Sequence, residues 1–448
     1  MRLAERWGLG LAVPIACSAA GAALLVEVGV TAAVAFSLAI VTVGLLVTLR
    51  ETPMHKLLVG GLLGLSATVD LIGHFRVGPT TAYAWVTGAV AAVVVVVALA
   101  TPARSLSPAA RRVIRSMALF PAWALLSILW APVSLQAAQN LLVYLAFSAI
   151  VAVAAVASAT GVVTFATLRR AMMWTLGLGS GLYCVSLALD GLGGSALVSA
   201  RAYALFAAVG VGWCAALGRH GYRAELRAAL VLSCLVLLSL SRTAFVASLL
   251  LLAVGLIGFR TPRDIRRSIA ILVCIGAVAF GLYTYSNPFS ARFRQGDVAA
   301  VGGFELNVMG REELWHITWV DALRHPLIGG GIGSADVLVR RATPSDDNPH
   351  NDYLRVFHDL GGVGLAALLL ALGAPLVACY RAYRSTPAAR REPRSIHLGG
   401  VLTLAALAFG MTTDNPLVYL FVLAPVAVVV GCSLGFRDDA QDRHYRSM

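Results

Sequence analysis

Thr81 to Ala100 reads Thr-Ala-Tyr-Ala-Trp-Val-Thr-Gly-Ala-Val-Ala-Ala-Val-Val-Val-Val-Val-Ala-Leu-Ala, a run without a single charge. A helix of about 20 apolar residues crosses the hydrocarbon core of a bilayer, and this stretch meets that requirement by itself. The pattern repeats outward in both directions. Apolar runs separated by polar breaks place spans near 8–26, 29–49, 57–75, 81–100, 116–133, 140–160, 171–190, 195–217, 226–241, 243–258, 268–287, 358–380, 396–413 and 417–435. Of the 448 residues, 59% are apolar and 13% charged, and the mean hydropathy is +0.81. Soluble domains carry about 25% charged residues, so a water-soluble enzyme, a disordered chain and a disulfide-stapled secreted domain are excluded. The expected fold is an all-α polytopic membrane protein of 12–14 helices.

Charge gives the orientation. The formal balance is +13, from 35 basic and 22 acidic residues. Cytoplasmic segments of membrane proteins are enriched in Lys and Arg. With the N-terminus inside, and a first helix retained rather than cleaved after Arg2 and Arg6, 25 of the 35 basic residues fall on the cytoplasmic side. The other ten are Arg76, Arg201, Arg242, Arg292, Arg294, Arg311, Arg324, Arg340, Arg341 and Arg355. The scattered arginines form no clustered soluble face, so nucleic acid is not an expected partner. The seven cysteines all lie in apolar stretches and form no CxxC, which argues against a disulfide framework or a zinc site.

The map divides the chain into eleven spans over 1–287, an outer loop over 288–357, and three spans with a short cytoplasmic tail over 358–448. Two features stand out against it. Arg201 and Arg242 sit in or at the outer ends of apolar stretches, where an arginine at mid-helix costs about 2.5–3.5 kcal/mol. Such residues face a cavity or partner, or else snorkel to the headgroups. The second feature is the outer loop, whose length marks it as functional. Gly310-Arg311-Glu312-Glu313-Leu314-Trp315 opens an amphipathic helix with Leu314, Trp315, Thr318, Trp319, Ala322 and Leu323 along one stripe, suited to the membrane interface. Pro326 ends it, and Gly329-Gly330-Gly331-Ile332-Gly333 forms a turn whose backbone can approach another group closely. That turn is neither a Walker loop nor a dinucleotide fingerprint, and no ATP site is visible.

Ser345-Asp346-Asp347-Asn348-Pro349-His350-Asn351-Asp352 follows, placing His350 at the outer mouth of the membrane domain. Imidazole suits proton transfer near neutral pH, and the neighbouring carboxylates are expected to orient it or raise its pKa. The competing reading is a loop histidine bonded for structural reasons. Metal binding with Asp346, Asp347, Asp352 or His358 matches no known ligand spacing, so neither a metal nor another cofactor is expected. Guanidinium groups hold phosphates bidentately and keep their charge. Outer arginines beside a potential base therefore point to chemistry on a lipid-linked phosphate or diphosphate, with energy supplied by the donor itself.

Three pieces occur in a characteristic order: Gly310-Arg311 to Trp315, then Pro326-Leu327-Ile328-Gly329-Gly330-Gly331-Ile332-Gly333, then His350-Asn351-Asp352-Tyr353-Leu354 leading to Gly361-Gly362-Val363-Gly364-Leu365. Together with Ser241-Arg242, this order resembles the O-antigen ligase and O-antigen polymerase family of bacterial membrane glycosyltransferases. The resemblance covers roughly residues 241–370. It implies a metal-independent, inverting GT-C-type transferase at the outer, periplasmic face of the inner (cytoplasmic) membrane. The implied donor is a glycan on undecaprenyl diphosphate, and the implied acceptor is a hydroxyl of lipid A-core or of a growing glycan. His350 would be the base, and Arg242 and Arg311 would hold the donor diphosphate, with Arg201 a further candidate. Ser199 to Phe206 departs from the family's Asn-Pro-Asn-like motif. The single His-bearing loop favours a ligase over a polymerase. A lipid-linked glycan transporter is the competing class, but no internal repeat is evident and the polar residues gather at one face rather than at midplane.

Overall fold

The computed structural model describes residues 54–71, 76–77, 80–132, 134–256, 298–301, 304–307, 311–343 and 348–436, with isolated helical positions at 266, 273 and 277. The spans expected at 8–26, 29–49 and 268–287 lie outside these, apart from those isolated positions.

Among the described residues the fold is all-α apart from two short antiparallel strand pairs, Arg76–Val77 with Thr80–Thr81 and Val298–Val301 with Phe304–Asn307. Among the described residues, eleven helices lie in the apolar runs: α1 Met54–Ala67, α2 Ala82–Ala100, α3 Pro108–Leu126, α4 Leu135–Ala159, α5 Phe165–Asp190, α6 Ala200–Arg219, α7 Arg223–Leu238, α8 Arg242–Leu256, α11 Asp352–Ser385, α12 Arg391–Gly410 and α13 Leu420–Gly435. Two shorter helices, α9 Arg311–Ala322 and α10 Ser334–Ala342, lie in the outer loop. Side-chain oxygens start several of them: Ser107, Ser134, Thr164 and Asn351 accept from the backbone N–H three residues on. Six of the described helices are long and apolar enough to cross a membrane, and three shorter ones are also apolar. The architecture is that of a polytopic membrane protein.

Burial sorts the helices into an inner and an outer set. In α6, 94% of the apolar window is buried; in α2 and α3 it is 28%, with Val93, Val96, Leu99, Leu119 and Leu125 on the surface. Apolar side chains exposed in this way suit lipid. The inner set, α4, α6 and α13, packs through small residues. A Cβ added at Gly435 would overlap the Ala155 carbonyl, and one at Gly212 would lie 2.9 Å from the Leu402 carbonyl oxygen. Where lipid removes the hydrophobic drive between helices, such close backbone approach lets dispersion hold them.

Helix α11 breaks at Gly361, where φ is 67° and ψ −169°. The break separates an outer stub, 352–360, from a membrane piece. The glycine turn seats against this break, with Gly330 N–H donating to His358 O (2.9 Å), Gly331 to Asp359 O (2.8 Å) and, in return, Gly362 to Pro326 O (2.8 Å). Gly329, Gly331 and Gly333 all have positive φ, and a Cβ at Gly329 or Gly361 would overlap the opposing backbone. The group the turn approaches so closely is therefore the chain's own backbone.

Candidate active site

A cavity of about 520 Å³ opens at the end of the bundle where α6 and α8 begin. Its wall brings together Arg201, Arg242 and Arg311, from three separate parts of the chain, with Ser199, Ser241, Thr243, Thr413 and Asp414. Arg201 is the second residue of α6 and Arg242 the first of α8. Both helices thus direct their N-termini, with their partial positive charge, toward the same space. The turn before α8 is tight, with Leu240 in the left-handed region at φ 59°. Arg201 pairs with Asp414, which is almost fully buried, and the Arg311 guanidinium donates to the Thr413 carbonyl at 2.6 Å. These contacts fix two of the guanidinium groups in the cavity wall rather than leaving them to snorkel. An anion with several oxygens is the ligand class such a wall suits.

His350 stands beside this wall, again in left-handed backbone at φ 54°. Non-glycine residues held there cost on the order of 1 kcal/mol or more, and they persist only where surrounding structure dictates the position. The surroundings are explicit. Asn351 caps α11, Asp352 N–H donates to Met411 O at 2.9 Å, and the Asp352 carboxylate accepts from Leu417 N–H at 2.8 Å. Trp315 Nε1 holds the Pro349 carbonyl at 2.7 Å. The segment is thus clamped between α9 and the α12–α13 connection.

Burial, and then the charges of Arg201 and Arg311, push the His350 pKa down to about 3. This corrects the expectation that nearby carboxylates would raise it. Asp352 turns instead into the protein interior, where it pairs with buried Arg355 at 2.5 Å; Asp346 and Asp347 lie outside the described residues. The ring is neutral at physiological pH and keeps a lone pair. Its Nδ1 is 3.0 Å from the side-chain amide of Asn415. For Nε2 to accept a proton, Nδ1 must carry the ring hydrogen and Asn415 must present its amide oxygen, an orientation reached by a half-turn of the amide.

A second polar cluster holds the loop helices. Asp359 accepts from Gly333 N–H (2.9 Å), Ala335 N–H (2.7 Å) and Ser334 Oγ–H (3.0 Å), capping α10 from across the fold. His358 contacts Ser334 Oγ through Nδ1 (3.1 Å) and Asp321 through Nε2 (2.9 Å). Deeper still, burial raises the Asp336 pKa against the lowering effect of Arg355. In α9 the buried stripe is Leu314, Thr318 and Ala322, whereas Trp319 and Leu323 are exposed, so the stripe expected from sequence is split between core and surface. No group of three or more potential metal ligands occurs among the described residues.

The structure therefore gathers all four sequence candidates, Arg201, Arg242, Arg311 and His350, at one mouth. It adds Thr413, at the end of the span expected over 396–413, and Asp414 and Asn415 in the short connection that follows it. The available signal was an Asp-Asn pair between two apolar spans.

Compared with known proteins, residues 228–369 match the family model described as O-antigen ligase. The match includes Arg242, Arg311 and His350 and leaves out Arg201 and the 413–415 connection. No curated protein matches the chain. The matched region supports the O-antigen ligase and polymerase family indicated by the motif order.

Proposed function

We propose that this O-antigen ligase-type chain is a glycosyltransferase of the inner membrane that moves a glycan from undecaprenyl diphosphate to a sugar hydroxyl at the periplasmic face. The observation that carries the reading is the single cavity ringed by Arg201, Arg242 and Arg311, with His350 beside it. The arginines and the two helix N-termini take the donor diphosphate. The acceptor hydroxyl approaches the anomeric carbon from the opposite face and its oxygen forms the new bond, which inverts that carbon. The bond from the anomeric carbon to the diphosphate oxygen breaks, and its electron pair leaves on undecaprenyl diphosphate. The hydroxyl proton passes to Nε2 of His350.

Donor binding also prepares the base. Two of the influences that lower the His350 pKa are the charges of Arg201 and Arg311. A bound diphosphate neutralises them, so the imidazole becomes more basic once the donor is seated. This coupling favours donor before acceptor.

The favoured acceptor is lipid A-core, as in a ligase; a growing glycan, as in a polymerase, uses the same chemistry. The test is transfer by the purified protein from glycan-bearing undecaprenyl diphosphate, with each acceptor offered separately and with a chelator present. Transfer to lipid A-core that persists with chelator is expected, and elongation of the donor glycan alone reassigns the protein as a polymerase. Arg242→Ala and Arg311→Ala should raise the donor KM about tenfold or more, with Lys restoring little because the bidentate fork is lost. Wild-type donor KM in both would move the diphosphate elsewhere. Carrier passage across a vesicle membrane without transfer would place the protein among transporters.

A further inference from the structure

Arg201 also borders a second and smaller space, of about 200 Å³. Its wall joins Asp70 at the outer end of α1, Tyr83 at the start of α2, Ala202 in α6, and Tyr419 and Phe421 at the start of α13. Ser199 and Arg201 border both spaces. A ligand anchored by its diphosphate in the first is therefore one side chain away from the second.

The chemistry of the two walls differs. The larger cavity is ringed by guanidinium groups, hydroxyls and helix N-termini. The smaller is lined by aromatic rings and a carboxylate. Tyr419 and Phe421 are stacked with centroids 5.3 Å apart, and Tyr83 meets Phe421 edge-on at 5.9 Å. The Asp70 carboxylate accepts from Ser199 N–H at 2.9 Å, and carboxylate oxygens are the acceptors that sugar hydroxyls donate to. A phosphate would be repelled by Asp70. An isoprenoid or acyl chain would cover the carboxylate and Arg201 without bonding to either, at a desolvation cost. A pyranose suits both walls, with C–H bonds on its faces for the aromatic rings and hydroxyls on its edge for the carboxylate and guanidinium. The volume suits one ring rather than a chain of them.

We propose that the space between Asp70, Tyr83, Tyr419 and Phe421 is a subsite for a single sugar ring next to the transfer centre. This rests on the diphosphate reading of the neighbouring cavity. Arg201, which divides the two spaces, is paired with Asp414, whose neighbour Asn415 faces His350. The ring is thus within reach of the reacting atoms, as the first sugar of the donor or as the acceptor sugar.

The test uses the full-length protein, purified and assayed for binding of two probes: undecaprenyl diphosphate alone and undecaprenyl diphosphate carrying one hexose. Asp70→Asn removes the charge at constant shape, and Ala202→Leu fills the space from a different helix, so the two variants reach the subsite independently. If the donor sugar is the occupant, each variant weakens binding of the one-hexose carrier about tenfold, the loss expected for a hydrogen bond to a charged group, and leaves the bare carrier unaffected. If the acceptor sugar is the occupant, both carriers bind as to wild type and the acceptor KM rises about tenfold at unchanged donor KM. Wild-type values for all of these, in either variant with an unaltered melting midpoint, would overturn the proposal. Bare-carrier binding reads the arginine cavity alone, so its failure in wild type would mark failure of the diphosphate reading rather than of this subsite.

Discussion

His350 and His358 lie eight residues apart in sequence and in opposite surroundings. His358 has a carboxylate near each ring nitrogen, Asp321 at 2.9 Å and Asp359 at 3.5 Å, and it is nearly inaccessible to solvent. It joins α9, the start of α10 and the stub of α11. His350 has an amide at Nδ1 and two arginines nearby, in backbone held at positive φ. Carboxylates at both nitrogens make a histidine a fastener. Cations and a neutral amide keep the other ring uncharged and able to accept a proton. The pair separates the outer mouth into a part that holds and a part that reacts.

The largest effect should come from exchanging the parts. His350→Ala is expected to lower kcat by about 10²- to 10⁴-fold, the range of general-base catalysis, with unchanged melting midpoint and donor binding. His358→Ala should do the reverse, destabilising by about 1–3 kcal/mol through the lost bonds to Asp321 and Ser334 while the folded fraction still turns over. A stable but inactive His358→Ala protein, with His350→Ala active, would invert the assignment.

Next is the fastened turn. Gly331→Ala meets both a φ of 90° and the Ala131 backbone, so thermal unfolding should show a loss on the order of 1–3 kcal/mol. Gly373, with nothing within 4 Å of an added Cβ, is the control. Equal melting midpoints for the two variants would mean that the turn is not part of the fastening.

A smaller effect is expected from the amide. Asn415→Leu leaves the His350 Nδ1–H without an acceptor and should cost about tenfold in kcat. Asn415→Asp should recover much of this and move the acid limb of activity to higher pH, since a carboxylate favours the imidazolium. If Leu and Asp behave alike, Asn415 does not orient the ring.

The smallest effect is read from pH alone. Protonation removes the lone pair, so activity falls as pH drops through the His350 pKa. In the free protein that pKa is about 3, and kcat/KM should stay flat well below pH 6. The acid limb of kcat, which reports the donor complex, should lie at higher pH. Coincident limbs would refute the coupling between diphosphate and base.

Much of this was legible in the chain. Uncharged runs such as 81–100 give the class directly, because a bilayer leaves a helix few alternatives. Arg242, Arg311 and His350 stand out because charge and imidazole are conspicuous at the ends of apolar stretches. What stayed hidden depends on contacts between distant segments. Asp414 and Asn415 are ordinary turn residues until the α12–α13 hairpin brings them to Arg201 and His350. The carboxylates flanking His350 in sequence suggested a raised pKa, yet Asp352 faces inward to Arg355 while arginines from other helices reach the ring. The close approach of the glycine turn was legible but its partner was not: the positive φ values seat backbone on backbone at the break in α11.

The ring of arginines has one further consequence for turnover. A donor diphosphate esterified at both ends carries two negative charges, and after the glycan departs the spent carrier can carry a third. Every arginine contact that held the donor diphosphate remains available to the product, and the added charge strengthens it. On the proposed chemistry, the protein is therefore prone to inhibition by its own leaving group. Its steady-state rate becomes tied to how quickly the surrounding membrane strips or recycles the emptied lipid.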